Sequence, residues 1–320
     1  MSMLLRGAMS AVLLAASAPA LAGPIQALKD YNLIVFSDTT LQSQVEGAVY
    51  VDGNYNAGSV QVASKGTNAQ GASLVVTGNV TNNPKVKTGD AYVGGTSQRI
   101  DFQGGGGTRK ALVDVPGGLL NHADFVRLSS DLSLLDAGIS YDRYSPGDHM
   151  NGFVIAPGLP DENGVSVIAL SADFFPNTGK IRFAAGADTL DTIIINVAGA
   201  TINFRGWQAA GVELADNIIW NFFEATEVNF LEQSWGTVLA PNARVQTNSQ
   251  MSGSIVALSS AIRGQLRAPT YAGNFAFPEP VLPEPGPGTD IPEPAMLGLV
   301  AAGLGLLAWR RRAVKNGGAD

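Results

Sequence analysis

The chain contains no cysteine and only two histidines among its 320 residues, and 15% of the residues are charged. The absence of cysteine excludes a disulfide scaffold, a thiol nucleophile, cysteine-ligated zinc and iron–sulfur clusters. With 45% hydrophobic residues and 38 glycines, the composition also excludes a coiled coil, a collagen and a disordered acidic tail protein. A chain of this length can bury a sizeable core in one or two domains.

The N-terminus has the features of an export signal. Arg6 is the only charged residue among the first 22, an apolar run follows it, and the small residues Ala20, Ala22 and Gly23 close the segment. A basic start, an apolar centre and a small-residue cleavage site are the three parts of a secretory signal peptide. We therefore expect residues 1–22 to be removed by signal peptidase before Gly23.

The C-terminus has the features of a membrane-targeting segment. Residues 295–309 are uncharged, apolar or glycine, and three arginines follow them: Arg310, Arg311 and Arg312. As a helix this segment is about 22 Å long, against a hydrocarbon core of about 30 Å, and the arginines would stay on the cytoplasmic side. We expect a short transmembrane helix over residues 295–309 and a basic cytoplasmic tail over residues 310–320.

Pro292, Glu293 and Pro294 stand immediately before that apolar segment. A Pro-Glu-Pro motif, a short apolar helix and a terminal arginine cluster together resemble the PEP-CTERM sorting signal of Gram-negative bacteria. The resemblance implies processing by an exosortase near the motif, transient anchoring in the inner membrane, and delivery to the cell surface or extracellular matrix. The alternative is a permanent tail anchor in the inner membrane, with the body facing the periplasm.

Seven of the 17 prolines fall within residues 278–294. No packed element accepts so many residues without an N–H donor, so this segment is predicted to be an extended, semi-rigid spacer. The folded body is then expected over residues 23–277. Because residues 23–294 carry 26 acidic and 15 basic side chains, a net charge of −11, the surface repels phosphates and we expect no nucleic-acid partner.

The body is predicted to be all-β, because its apolar residues come in short runs separated by Gly, Asn, Asp or Ser. The runs are residues 33–36, 49–51, 74–76, 153–155, 165–169, 193–195, 218–220, 238–240 and 255–257. Two apolar series in the last third repeat every 17 to 19 residues: Ile219, Val238, Val256 and Val228, Val245, Ile262. This period favours a right-handed β-solenoid (β-helix) of stacked coils over a sandwich.

One segment, residues 118–137, departs from the β pattern. Its apolar side chains recur at steps of three and four, as on one side of an amphipathic helix: Phe125, Leu128, Leu132 and Leu135. We expect one flanking α-helix that lies along the solenoid and shields it. The alternative is a helix used in dimerisation.

Two portions of the body resemble the choice-of-anchor A domain. They are residues 31–38 and 45–54 at the beginning, and residues 219–222, 225–228, 235–243 and 251–257 at the end. The closing portion is also distantly similar to the ice-binding β-solenoid family. The resemblance implies an extracellular module that is joined to different surface anchors, and it brings no catalytic residues to transfer.

The sequence offers little support for catalysis or for a cofactor. His122 and His149 stand apart, and no Gly-x-Ser-x-Gly motif positions a serine. Asp52, Asp188 and Asp191 could supply oxygen ligands to calcium, but no calcium-loop spacing accompanies them. We therefore predict no catalytic residue, no metal site and no cofactor, and we leave calcium binding open.

A polysaccharide-acting enzyme is one alternative. Glu224, Glu227 and Glu232 occur near Trp220 and Trp235, and two carboxylates suffice for glycoside hydrolysis while indole rings stack on sugars. The simpler interpretation is that the glutamates cover solenoid corners and that the tryptophans fill wide coils or cap an end of the solenoid.

An ice-binding protein is a second alternative, and it depends on the fold resemblance. Ice binding calls for a regular exposed array, usually of threonine. Five threonines between residues 192 and 247 are separated by 9, 25, 11 and 10 residues, which is no coil period: Thr192, Thr201, Thr226, Thr237 and Thr247. Resemblance of fold does not by itself transfer a function.

The sequence therefore predicts an exported, exosortase-sorted surface or matrix protein without enzymatic activity. Its expected role is structural or adhesive, in extracellular polysaccharide or biofilm. The expected partners are signal peptidase and exosortase during processing, and exopolysaccharide or other surface proteins afterwards.

Overall fold

The computed structural model describes residues 22–141, 153–175, 180–204, 207–208 and 212–275. The chain divides into two units, residues 1–276 and 277–320, and every described residue belongs to the first unit. The predicted spacer, transmembrane helix and basic tail lie outside the described residues and stay predictions. Within the described ranges no helix has the length and hydrophobicity that a membrane span requires.

The described part is mostly β, as predicted. Its strands, in chain order, are β1 (Tyr31–Val35), β2 (Thr39–Leu41), β3 (Ala48–Val51), β4 (Tyr55–Ala57), β5 (Gln61–Val62), β6 (Ala72–Val76), β7 (Val80–Thr81), β8 (Lys85–Val86), β9 (Asp90–Val93), β10 (Arg109–Lys110), β11 (Ile139–Tyr141), β12 (Phe153–Ile155), β13 (Val165–Ser171), β14 (Lys180–Phe183), β15 (Thr192–Ala198), β16 (Thr201–Phe204), β17 (Trp207–Gln208), β18 (Ile218–Asn221), β19 (Glu227–Phe230), β20 (Ser234–Trp235), β21 (Thr237–Thr247), β22 (Met251–Ser252), β23 (Ile255–Ile262) and β24 (Leu266–Arg267). Each of the nine predicted apolar runs overlaps one of these strands. The helices are α1 (Ala22–Asp30) and α2 (His122–Ser133).

All strand pairings in the described ranges are parallel. Successive turns of the chain place strands on three faces in rotation, so the unit resembles a β-solenoid of stacked coils. One face has the strand order β10-β9-β6-β3-β1-β23-β21-β18-β15-β13-β11, and a second carries β16, β19, β2, β4 and β7 together with the later halves of β21 and β23. The third face holds β5-β8, β12-β14-β17 and β20-β22-β24. The predicted right-handedness stays a prediction.

The order of the coils in space differs from their order in the sequence. β1 pairs with β3 on one side and with β23 on the other, so Leu33 is the register partner of both Val49 and Ile255. The chain therefore starts in the middle of the stack, builds coils outward to β10, and resumes at the opposite end with β11. It then builds back until β23 meets β1. We call the β1–β23 contact the seam.

Buried polar groups fasten the seam. The Asn32 side chain is fully buried, donates a hydrogen bond to the carbonyl of Gly253, and accepts one from the amide of Gly47 at 3.0 Å. The hydroxyl of Thr39 lies 2.6 Å from that of Ser260, also in the interior. Because an unpaired buried polar group costs about 1–3 kcal/mol, these groups favour this one pairing over slipped alternatives.

The predicted flanking helix is α2, and it is shorter than residues 118–137. The Asn121 side chain caps it by accepting a hydrogen bond from the amide of Ala123 at 3.2 Å, and Phe125, Leu128 and Leu132 are buried. The helix packs on β15, β18 and β21, along the flank where it was expected. Leu135 lies beyond its end.

The prediction of a single helix is wrong, because α1 is a second one. It begins at Ala22, next to the predicted cleavage position, and buries Ala27 and Leu28. Thr270 donates a hydrogen bond to the carbonyl of Lys29 at 2.7 Å, so the end of the described chain returns to this helix. Nine residues are too few to display a periodic apolar stripe, although Pro24 near the start is a typical first-turn residue.

The predicted period corresponds to real stacking, with register errors. Val228 pairs with Val245 as expected, but Val245 pairs with Ser260 rather than with Ile262. The cause is an irregularity in β21 between Ala240 and Arg244, which shifts the register by two residues as the strand turns from one face to the next.

We expect Asn221→Ala to lower the free energy of unfolding by about 2–3 kcal/mol, because it leaves buried polar groups without their hydrogen-bond partner. The Asn221 amide donates to the carbonyl of Ser129 and to Oδ1 of Asn196, both at 2.8 Å, and accepts from the Ser129 hydroxyl. Urea unfolding measures the change. The control Asn203→Ala, at an exposed position, should change stability by less than about 0.5 kcal/mol, and equal losses in the two variants would refute this role for Asn221.

Candidate functional site

The predicted sugar-stacking tryptophans are not available to a ligand. Trp220 and Trp235 are 0% and 1% exposed, and Trp220 Nε1 donates a hydrogen bond to the carbonyl of Trp235 at 3.0 Å. The ring of Phe204 meets Trp220 edge to face at 5.3 Å. Both indoles therefore belong to the core, as expected for side chains that fill the coils.

The three glutamates hold different structural positions. Glu224 is exposed and accepts a hydrogen bond from the amide of Gly199 at 3.0 Å, Glu227 stands on β19, and Glu232 lies in the exposed turn after that strand. No group of three or more His, Asp or Glu side chains able to hold a metal ion occurs in the described residues.

His122 has a structural role at the start of α2. Its Nε2 lies 2.9 Å from the carbonyl oxygen of Pro241, and its ring packs on Phe36 with centroids 4.8 Å apart. His149 lies outside the described residues.

The threonines considered for ice binding divide between the interior and the surface. Thr192, Thr237 and Thr247 are buried, while Thr201 and Thr226 are exposed. The hydroxyl of Thr192 lies 2.6 Å from that of Tyr271. These five side chains therefore do not form one outward array.

The second face of the stack carries two rows of outward polar side chains, and we call it the ladder face. Row one begins with four residues in register, Thr201, Glu227, Arg244 and Ser259. It continues with the residues that directly precede the next paired positions: Asp38, Asn54, Asn79 and Thr96. Row two stands two residues further along each strand: Asn203, Asn229, Gln246, Ala261, Thr40, Asn56 and Thr81. None of these fifteen residues is buried.

The strand geometry sets the dimensions of the rows. Neighbouring strands are about 4.8 Å apart, so the seven rungs of row two span about 29 Å, and the two rows lie about 6.7 Å apart. The residues between the rows point inward and are buried: Ile202, Val228, Val245, Ser260, Thr39, Tyr55 and Val80. The rows are continuous only because the seam joins β23 to β2.

Row two is partly linked by its own hydrogen bonds. Gln246 Nε2 donates to Asn229 Oδ1 at 2.9 Å, and Asn229 Nδ2 donates to Asn203 Oδ1 at 3.1 Å. This chain of amide hydrogen bonds fixes the side chains and leaves some of their donor and acceptor groups free. Among the described residues, four groups of row two have no hydrogen-bond partner: the Asn203 amide nitrogen, the Gln246 carbonyl oxygen, the Thr40 hydroxyl and the Asn56 amide nitrogen.

Row one forms a ladder in the N-terminal coils. Asp38 Oδ1 accepts from the backbone and side-chain amides of Asn54, at 2.8 and 3.0 Å. Asn54 Oδ1 accepts from the same two groups of Asn79, and Asn79 Oδ1 accepts from the amide and hydroxyl of Thr96 at 2.8 Å. A sequence signal for this ladder exists in the repeats Gly53-Asn54, Gly78-Asn79 and Gly95-Thr96.

Charge is sparse on the ladder face. Glu227 and Arg244 are register neighbours, Asp38 is held by Asn54, and the other twelve side chains of the two rows are uncharged. The ion pairs of the described residues lie elsewhere, at Lys65–Glu46, Lys110–Asp90 and Arg127–Asp131. At the second of these pairs, the hydrogen bond from Lys110 lowers the pKa of Asp90.

The geometry of the ladder face suits recognition of a repeating surface or polymer. It offers amide and hydroxyl groups at one interval, fixed by backbone pairing and without a cleft around them. Such an array can form many weak hydrogen bonds at once.

The chain belongs to the family of the ice-binding-like adhesive domain, whose model matches residues 24–267. A second model, the PEP-CTERM protein-sorting motif, matches residues 290–312, which include Pro292, Glu293, Pro294 and the arginine cluster. This motif indicates an exported, exosortase-sorted surface protein of a Gram-negative bacterium. The resemblance to the choice-of-anchor A domain stays a prediction. No curated protein matches the chain.

Two solved structures are similar to this chain at low identity. An ice-binding protein from the Antarctic ascomycete Antarctomyces psychrotrophicus is 13% identical, with 78% of this chain and 97% of that chain covered and a TM-score of 0.32. The DUF3494 domain of ice-binding protein 1 from Shewanella frigidimarina is 15% identical, with 81% and 98% covered and a TM-score of 0.29. Similarity at this level does not assign a ligand to this chain.

We expect Gly78→Ala to destabilise the ladder by about 1–3 kcal/mol, because tight packing at a corner cannot admit a methyl group. A Cβ atom at Gly78 would lie 2.5 Å from the carbonyl oxygen of Gly53 in the adjoining coil. The matched control is Gly58→Ala, where a Cβ would meet no atom within 4 Å. Thermal unfolding compares the two, and equal melting temperatures would contradict close stacking at this corner.

Proposed function

We propose that the protein is a non-enzymatic adhesive component of the extracellular matrix, and that its ladder face binds matrix polysaccharide. The observation that carries this proposal is the pair of polar rows, which together present fifteen outward residues. The adhesive family and the sorting motif support the location and the role. Weak contacts repeated along a stiff rod add up to useful avidity.

Three contacts support the absence of enzymatic activity. Trp220 and Trp235 are occupied by the core, the His122 ring is held against Pro241, and Glu224 is bound to the backbone at Gly199. A polysaccharide-acting enzyme would need two carboxylates set on either side of a sugar. Hydrolysis of the polysaccharide is therefore kept only as the experimental result that would replace the proposal of adhesion.

Ice binding is the second candidate, and the family name together with the exposed parallel rungs favours it. The chemistry of the rows favours polysaccharide instead. Glu227, Arg244 and Asp38 place charges on the second, third and fifth rungs of row one, and asparagine is more frequent than threonine in the two rows.

We further propose that an exosortase cuts the chain near Pro292 and Pro294, and that the arginine-terminated segment anchors the precursor in the inner membrane until then. The mature protein joins the matrix or biofilm at the cell surface.

Replacing Pro292, Glu293 and Pro294 by alanine should abolish processing and leave a membrane-retained precursor. The chain supplies its own control, because Pro283, Glu284 and Pro285 form another Pro-Glu-Pro triplet. The same triple replacement there should leave processing unchanged. Immunoblots of membrane and surface fractions measure both, and normal processing of the first variant would refute the sorting assignment.

Ala261→Arg should reduce binding to the producer's exopolysaccharide about tenfold, since a long charged side chain would project from the middle of row two. Ala137→Arg, an identical change at an exposed position after α2, is the control and should bind normally. Co-sedimentation of the secreted protein with the polymer measures binding. Equal binding by the two variants would locate adhesion elsewhere, and shortened polymer would establish an enzyme.

A further inference from the structure

We infer that the ligand of the ladder face is an extended, uncharged, β-1,4-linked polysaccharide whose chain runs along the rows and across the strands. This inference rests on the proposed adhesive function and adds the class of ligand, its direction and its length. Three properties of the described rows carry it: their interval, their hydrogen-bonding groups and their charge.

The first property is the interval. The rungs of row two recur at about 4.8 Å because parallel backbones are held at that spacing. A β-1,4-linked pyranose chain in its extended form advances by nearly the same distance with each sugar. Neighbouring sugars can therefore meet neighbouring rungs, with a small difference in spacing that adds up along the chain, whereas an α-1,4-linked chain coils away from a straight row.

The second property is the set of free hydrogen-bonding groups. Asn203 and Asn56 present amide donors, Gln246 presents a carbonyl acceptor, and the exposed Thr40 hydroxyl can act either way. Sugar hydroxyls both donate and accept, so a single polymer satisfies all of these groups. The neighbouring amide bonds hold the side chains in place, which lowers the entropy lost on binding.

The third property is charge. Glu227 stands beside Arg244 on adjoining strands, and Asp38 is already hydrogen-bonded by Asn54. The body, residues 23–277, carries 22 acidic and 15 basic side chains, a net charge of −7. This acidic surface repels polyuronates and other anionic polymers, while an uncharged chain approaches without that cost.

The number of rungs sets a length. Row two runs from Asn203 to Thr81 over seven rungs, or about 29 Å. Affinity should therefore rise with each added sugar up to about seven and then level off. Four of the seven rungs lie on the β23 side of the seam and three lie on the β2 side.

The test measures calorimetric binding of cello-oligosaccharides of two to eight sugars to the full secreted chain. We expect the affinity to increase on the order of threefold for each added sugar, up to about seven. Malto-oligosaccharides of equal length should bind at least tenfold more weakly, and oligouronates should not bind.

Two variants locate the site. Gln246→Ala should weaken binding of the longest cello-oligosaccharide about threefold to tenfold, whereas Gln70→Ala, at an exposed position outside both rows, should not. Ala261→Arg should abolish the dependence on length beyond three sugars. Circular dichroism checks that each variant is folded. If Ala261→Arg does not fold, the binding result for Gln246→Ala alone tests the location of the site.

The other outcomes separate this inference from the proposed function. Equal binding of cello- and malto-oligosaccharides, a preference for oligouronates, or no length dependence would overturn the ligand class while leaving adhesion intact. Failure to bind any of these probes and the producer's own polymer would overturn both. If the full chain shapes ice crystals and Ala261→Arg removes that activity, the ligand of the ladder face is ice and not a polysaccharide.

Discussion

The pairing of β1 with β23 is the contact on which the rest of the unit depends. It joins coils formed by the first third of the chain to coils formed by the last, over a separation of 222 residues between Leu33 and Ile255. Without it the N-terminal coils would expose the interior edge of their stack and the ladder face would be cut in two. The closure entropy of so long a loop must be offset by the surfaces that meet there.

Amide side chains perform related tasks in three parts of the unit. Asn32 closes the seam from inside, Asn196 and Asn221 tie α2 to the sheet, and Asn54 and Asn79 bridge coils in row one of the ladder face. Each uses the same property, one donor and one acceptor group at the end of a short side chain. When coils stack at a fixed spacing, such a side chain can bond to its counterpart one rung away. In row two of the ladder face, some of these amide groups have no hydrogen-bond partner among the described residues.

Local features of the fold could be predicted from the sequence, whereas its long-range order could not. The strand around Ile193 and the helix around Leu128 follow from patterns within a few residues. The meeting of Leu33 with Ile255 leaves no such pattern, because a period records only coils that are neighbours in the sequence. The register beyond Val245 was missed for a related reason, since the irregularity near Ala240 is a property of the strand's turn between faces.

The candidate site was missed because it has no unusual residue. Polar side chains such as Asn203 and Thr40 are ordinary surface residues singly, and they become a row only through pairing. The sequence drew attention instead to Trp220 and Glu224, the residue types that act on sugars in enzymes. In the structure Trp220 is packed in the aliphatic and aromatic interior, and Glu224 accepts a hydrogen bond from the backbone.

The most direct test of the seam is the distance between spin labels at Thr81 and Asn203, the two ends of row two. The chain contains no cysteine, so the double variant Thr81→Cys, Asn203→Cys can be labelled at these sites alone. Stacking through the seam predicts a pulsed electron paramagnetic resonance distance centred near 29 Å, from six intervals of about 4.8 Å. A distribution centred well beyond that value would show that the two sets of coils are not joined, and would contradict both the seam and the continuous ladder face.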